Sequence, residues 1–142
     1  HTANRRQRQM CIRDRDYTYF LNALHDQWLA TDVPVEMVGV FPEGSASLED
    51  IEDFADTYRV AWPLLDKEGF VDSLDARWTP EVFVLDSLGK VHYRGRINDL
   101  YVSLGKHRPK PKRHDLRDAM AALLAGQPPR DPVTQAIGCP IE

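Results

Sequence analysis

Two cysteines, Cys11 and Cys139, carry the strongest nucleophilic chemistry in this sequence. A thiolate can attack a peroxide or a disulfide, and it can also bind a soft metal such as copper. Two cysteines in 142 residues are too few to staple a scaffold, so each is considered as a separate thiol. Four of the five histidines follow residue 15, and none of them has close zinc-ligand spacing with an acid or a cysteine. We therefore expect no metal site, and no cofactor is predicted.

Residues 1–15 differ in composition from the rest of the chain. They hold five arginines and almost no periodic apolar pattern, which is typical of a disordered basic arm. The run MCIRDR at 10–15 also resembles the in-frame translation of a transposon end used in sequencing libraries. This second interpretation predicts that residues 1–15 are a non-native leader. Without them, 13 of the 18 basic and 21 of the 22 acidic residues remain, and the formal charge changes from −4 to −8.

Length and charge limit the remaining possibilities. The chain has room for one globular domain with a modest core, which we place at 16–126, followed by an irregular tail at 127–142. Its negative charge argues against nucleic acid as a partner, because phosphate binding is driven mainly by lysine and arginine. No run of 18 apolar residues appears, so no transmembrane segment is predicted. The sequence does not predict an oligomeric state.

The apolar periodicity predicts a small α/β fold. Helical spacing occurs in three segments, the second of which starts with a capping-box-like Ser47 and Asp50. Short apolar runs indicate strands, and a Gly-containing turn predicts that the last two pair as an antiparallel hairpin. The predicted order is helix 17–30, strand 35–41, helix 47–58, apolar segment 60–66, helical turns at 70–76, strands 81–86 and 91–95, loop 98–113 and helix 114–125.

Residues 16–142 resemble redoxin-domain proteins of the alkyl hydroperoxide reductase and thiol-specific antioxidant superfamily, which are peroxiredoxin-like. The resemblance rests on DYTYFLNALHDQW, VEMVGVFP, WPLLD, WTPEVFVLDSLGKVHYRGRINDLY and HDLRDAMAALLAGQPPRDPVTQAIGCPI. It implies a thioredoxin-like fold, with three α/β/α layers and a mixed sheet. The first strand of that fold is missing here, so the domain at 16–126 is expected to be incomplete.

In such proteins the first strand runs into a nucleophilic cysteine, which precedes a helix like the one predicted at 17–30. The resemblance implies a peroxide or protein disulfide as substrate and a thiol reductant protein as partner. Cys11 stands six residues before Tyr17, close to that place. However, no apolar strand precedes Cys11 and no second cysteine follows it. Either Cys11 is the nucleophile, or the nucleophile segment is missing and this fragment is inactive.

Thr79-Pro80, directly before the strand EVFVLD, resembles the segment that holds a cis-proline opposite the active-site cysteine in thioredoxin-like proteins. A cis bond would expose the backbone of Thr79 to an extended substrate, and Trp78 would cover the rim of the cleft. Arg94 or Arg96 would supply positive charge. The resemblance thus implies a substrate-binding set of Trp78, Thr79, Pro80 and Arg94. The alternative is a trans proline at the start of a strand.

Cys139 matches a C-terminal Gly-Cys in the similar proteins. It is a candidate resolving thiol, which would form a disulfide with the sulfenic acid of the nucleophile. The alternatives are a copper ligand, a residue that pins the tail, or an idle buried thiol.

The sequence favours a thiol-dependent oxidoreductase, which either reduces peroxides or exchanges disulfides. The alternative is a non-catalytic thioredoxin-like binding module for a protein client or copper. Residues 106–114 form a basic segment that could dock an acidic partner or a membrane surface, or be a solvated connection. By resemblance alone, an extracytoplasmic location is favoured over a cytoplasmic one.

Overall fold

The computed structural model describes residues 2–41, 47–66, 74–103 and 105–140. Within them lie three helices and eight short strands, and the strands form four two-stranded ladders. The chain divides into two compact units, His1–Ala76 and Arg77–Pro140. The fold is therefore small and mixed α/β, as predicted. Among the described helices, none combines the length and apolar character that a membrane crossing requires.

Helix α1 spans Thr2–Ala30 and begins well before the predicted residue 17. No glycine or proline interrupts this stretch, and arginine, glutamine, alanine and leucine in it are good helix formers. Asp32 ends the helix in a left-handed conformation with φ 57°, and the next N–H, from Val33, donates to the carbonyl of Trp28 at 2.9 Å. Leu29, although apolar, is 67% exposed. From residue 16 onward, where the side chains are described, the buried apolar residues of this helix are Tyr17, Leu24 and Trp28.

Helix α2 spans Leu48–Tyr58 and starts with the predicted capping box. The Ser47 hydroxyl accepts from the backbone N–H of Asp50, and the Asp50 carboxylate accepts from the N–H of Ser47, both at 3.1 Å. Ile51 is buried, whereas Leu48 is exposed. Two of the four N–H groups left free at the helix start thereby find partners.

Strands β1 (Gly39–Phe41) and β2 (Leu64–Asp66) pair in parallel. The strand predicted at 35–41 is thus shorter, because the N–H of Val35 donates to the carbonyl of Val33 at 2.8 Å in a tight turn. Gly39 lies against the side chain of Leu64, which an added Cβ would overlap. Of the helical turns predicted at 70–76, residues 70–73 lie outside the described residues.

Strands β4 (Val82–Leu85) and β5 (Val91–Gly95) form the predicted antiparallel hairpin, while strand β3 (Trp78–Thr79) precedes them. Asp86 organises the turn: its Oδ1 accepts from the N–H groups of Leu88 at 2.9 Å and Lys90 at 3.0 Å. His92 Nε2 lies 2.8 Å from Asp86 Oδ2. The hydrogen bond from His92, with those from the backbone, lowers the pKa of Asp86.

The segment predicted as a loop at 98–113 contains a short hairpin of β6 (Tyr101–Ser103) and β7 (Lys106–His107). Beyond it, Asp99 Oδ1 accepts from the N–H groups of Lys112 at 2.7 Å and Arg113 at 2.8 Å. Burial alone would raise the pKa of Asp99, but these hydrogen bonds and nearby arginines lower it. The basic segment therefore folds around an internal carboxylate.

Helix α3 spans Asp115–Leu124, close to its predicted bounds, and Gly126 follows in a left-handed conformation with φ 76°. The tail predicted to be irregular ends, within the described residues, in a two-residue strand, β8 (Cys139–Pro140). The apolar core of this unit consists of Tyr93, Ile97, Leu100, Tyr101, Leu116, Ala119, Met120 and Ala136.

Candidate substrate-binding edge

Strand β3 presents the residues that the sequence singled out for substrate binding. Trp78 and Thr79 are half-buried, and the bond between Thr79 and Pro80 is cis, as predicted. Pro80 has no backbone N–H, so the ladder cannot continue through it. We call this short stretch of backbone the Trp78–Thr79 edge.

The chain's own C-terminal segment occupies this edge. β8 pairs antiparallel with β3, in a register that places Cys139 opposite Thr79 and Pro140 opposite Trp78. Gly138 packs directly on the turn that follows: an added Cβ would overlap the carbonyl oxygen of Thr79 and lie 3.1 Å from the nitrogen of Pro80. The structure thus brings Trp78, Thr79, Pro80 and the backbone of Cys139 together.

A second contact holds the same tail on β5. The N–H of Arg94 donates to the carbonyl of Pro132 at 2.9 Å, and the N–H of Thr134 donates to the carbonyl of Arg94 at 3.0 Å. Gly95, with φ 141°, packs against Thr134, and a Cβ added to Gly95 would overlap Thr134. Ala136 is buried next along the tail. We call Pro132 to Ala136 the tail anchor.

Tyr93 and Thr134 lock the anchor through hydroxyl groups. Tyr93 is fully buried; its OH donates to the carbonyl of Arg96 at 2.5 Å and lies 2.7 Å from Thr134 Oγ1. Thr134 Oγ1 accepts from the N–H of Arg96 at 3.0 Å. Because the phenol proton is used on the carbonyl, the Thr134 hydroxyl is the donor to Tyr93. Burial raises the pKa of Tyr93 to about 12, so the hydroxyl keeps its proton.

Arg94, predicted to supply positive charge to the cleft, already has partners. Its Nη2 lies 3.4 Å from the carboxylate of Glu81, whose side chain is only 6% exposed, and its guanidinium lies 5.0 Å from the centre of the Phe83 ring. The other Glu81 oxygen accepts from the N–H of Arg77 at 3.0 Å. Arg94 therefore contacts Glu81 and Phe83, which follow Pro80 in the chain.

Arg96, the other candidate cation, forms an ion pair inside the unit. Its Nε lies 2.7 Å from Asp115 Oδ2, and the Asp115 side chain is 3% exposed. Burial opposes the charge, but the hydrogen bond and charge of Asp115 outweigh it, so the pKa of Arg96 is raised. Arg113 lies 3.4 Å from Asp115 and 2.6 Å from Asp131. This network joins Arg96, which directly follows β5, to the start of helix α3 and to Asp131 in the tail.

Sequence reasoning missed Asp115, Asp131, Tyr93 and Thr134. One signal was present, since Asp115 opens a helix, where a carboxylate is expected. The pairing of Tyr93 with Thr134 joins positions 41 residues apart and has no local signature.

The two cysteines lie in different settings. Cys11 lies inside α1, nine residues after Thr2, in the unit His1–Ala76. Cys139 lies in β8, in the other unit. Across the residues that the structure describes, no group of three or more histidine, cysteine or acidic side chains is placed to hold a metal ion.

Comparison with known proteins identifies a shared fold. No family model matches the chain, and no curated protein matches it. A crystal structure of an uncharacterised conserved protein from Geobacillus kaustophilus is similar, with a TM-score of 0.73 and 24% sequence identity. The similarity covers 88% of this chain and 67% of that chain. At this identity it shows that the two share a fold, and nothing about activity.

Proposed function

We propose that this chain is the substrate-binding part of a thiol-dependent oxidoreductase with a thioredoxin-like fold. The enzyme would reduce peroxides or exchange disulfides. One observation carries the proposal: the Trp78–Thr79 edge holds an extended segment with a cysteine opposite Thr79. An edge that pairs with extended backbone suits a disulfide-bearing substrate, because main-chain hydrogen bonds supply much of the binding.

Cys139 would act as the resolving thiol. A nucleophilic thiolate attacks the peroxide, breaks its O–O bond, becomes a sulfenic acid and releases an alcohol or water. The Cys139 thiol then attacks the sulfenic sulfur, so that a disulfide forms and water leaves. A reduced dithiol protein, the thiol reductant partner, restores both thiols and is itself oxidised to a disulfide. The register opposite Thr79 supports this role for Cys139.

The nucleophile, in this proposal, comes from a segment that this chain does not contain. A helix stabilises a thiolate at its first turn, through its free N–H groups and dipole. Cys11 lies nine residues into α1, where those N–H groups are bonded within the helix. The chain by itself would then be inactive.

The test assays the protein translated from the whole gene for peroxide consumption with a dithiol reductant. Cys139→Ser should slow turnover by roughly tenfold or more, about 1.4 kcal/mol of barrier. A reagent specific for sulfenic acid should label the variant more than the wild type. Cys11→Ser is the matched control and should leave turnover unchanged. Unchanged turnover and labelling in Cys139→Ser would remove the resolving role, and no thiol-dependent turnover at all would refute the proposed function.

The alternative is a non-catalytic binding module for a protein client. It is favoured by the same ladder, because β3 binds β8 without any chemical step. The full-length protein separates the two: a module would bind disulfide-bearing peptides and consume neither peroxide nor disulfide. Copper has no supporting group of ligands among the described residues.

A further inference from the structure

The β-ladder between β8 and the Trp78–Thr79 edge is short. The ladder contains two residue pairs, Thr79 with Cys139 and Trp78 with Pro140. Pro140 has no N–H to donate, and Pro80 blocks the ladder at its other end. The tail anchor, by contrast, is held by two backbone hydrogen bonds and the Thr134 hydroxyl. The distal end of the tail can therefore leave while the anchor stays in place.

The docked tail also satisfies the edge incompletely. Thr79 Oγ1 is buried and has no hydrogen-bond partner among the described residues. A buried hydroxyl without a partner costs free energy.

The packing of Gly138 shows which residue type can bind next to Pro80. An added Cβ would overlap the carbonyl oxygen of Thr79 and lie 2.6 Å from its carbonyl carbon. Both atoms belong to the backbone next to Pro80, so they cannot turn aside as a flexible side chain would. Any segment in this register must have glycine directly before the residue opposite Thr79.

We propose that Gly138–Pro140 occupies the binding site of a client segment, and that the Trp78–Thr79 edge binds extended peptides in which glycine directly precedes the residue opposite Thr79. Clients bind by displacing β8 while the tail anchor remains on β5. The proposal deepens the function proposed above by naming its substrate class, extended Gly-Cys segments. Strand binding itself needs no thiol chemistry.

The test measures binding of a fluorescent peptide to the full chain. The peptide TQAIGSP copies residues 134–140 with serine for Cys139, so no thiol chemistry contributes; TQAIASP is its matched control. Gly138→Val prevents the chain from docking its own tail. If β8 occupies the edge about nine-tenths of the time, this variant binds TQAIGSP roughly tenfold more tightly than the wild type. TQAIASP should bind neither protein.

A control variant separates the edge from general damage. Gly126→Asn adds a side chain where nothing lies within 4 Å, at a left-handed φ that asparagine tolerates, and should bind the peptide as the wild type does. Equal affinity of wild type and Gly138→Val would overturn the proposal, as would equal binding of the two peptides. A dimer that exchanges tails without capturing peptide would overturn it too.

Hydrogen exchange tests the same idea without a variant. In the wild type, amides at 137–139 should exchange on the order of tenfold faster than those of Arg94 and Thr134. Added TQAIGSP should speed exchange at 137–139 further and leave Thr134 protected. Equal protection along the tail would make it a fixed part of the fold. The peptide lacks a thiol, so its binding and enzymatic turnover are independent measurements. Failed peptide binding with intact turnover would contradict only the client-binding proposal. Intact peptide binding without turnover would contradict only the proposed oxidoreductase activity.

Discussion

Replacing Tyr93 with phenylalanine tests whether one hydroxyl holds the tail on β5. The ring stays, while the bonds to the Arg96 carbonyl at 2.5 Å and to Thr134 Oγ1 at 2.7 Å are lost. The carbonyl then lacks its donor and the Thr134 hydroxyl lacks its acceptor. A buried polar group without a partner costs about 1–3 kcal/mol. Since Thr134 still accepts from the N–H of Arg96, we expect a loss of about 2 kcal/mol in the free energy of unfolding.

Urea unfolding followed by circular dichroism measures this loss, and hydrogen exchange at Thr134 and Arg94 localises it. For a chain of this length, the melting temperature should fall by roughly 6 °C. Tyr19→Phe is the matched control, because Tyr19 is 71% exposed. Thr134→Val removes the same pair from the other side, so the double variant should cost less than the two single losses together. A loss in Tyr93→Phe below about 0.5 kcal/mol, equal to that in Tyr19→Phe, would refute the reasoning.

Two further predictions concern charge. The pKa of Tyr93 rises from 10.0 to about 12 on folding, so between those values the folded state binds more protons than the unfolded state. Stability is therefore complete below about pH 10 and falls as the pH rises towards 12. Urea midpoints should decrease across this range less in Tyr93→Phe than in the wild type, and equal slopes would contradict the assignment. Asp115→Asn should cost about 2 kcal/mol, because it leaves Arg96 without its charged partner at 2.7 Å. Asp118→Asn, at a side chain 70% exposed, is the control; equal losses would exclude the buried ion pair as the cause.

Helices α2 and α3 and the main hairpin could be predicted because their signals are local. Ser47 and Asp50 cap α2 within one turn, and the turn residues after Asp86 lie between the strands that they join. Such contacts depend on neighbours in sequence, so the pattern of residue types suffices.

The tail could not be predicted, because its contacts are distant in sequence. The segment after Arg130 lacks apolar periodicity and has two prolines and a glycine, which favour irregular structure. Its pairing depends on what β3 and β5 offer, namely an unpaired edge and the space beside Gly95. For the same reason, the sequence predicted only part of the candidate site. The resemblance pointed to Thr79 and Pro80, but not to the segment that lies on them.

The position of β8 in the chain also affects the protein during synthesis. Cys139 is added 60 residues after Thr79. At about 5–20 residues per second, several seconds pass in which β3 has been made and its covering strand has not. During this interval the nascent chain presents an open strand edge to chaperones, to oxidants and to neighbouring chains on the same messenger RNA. The order of synthesis therefore exposes this edge to other partners before the tail reaches it.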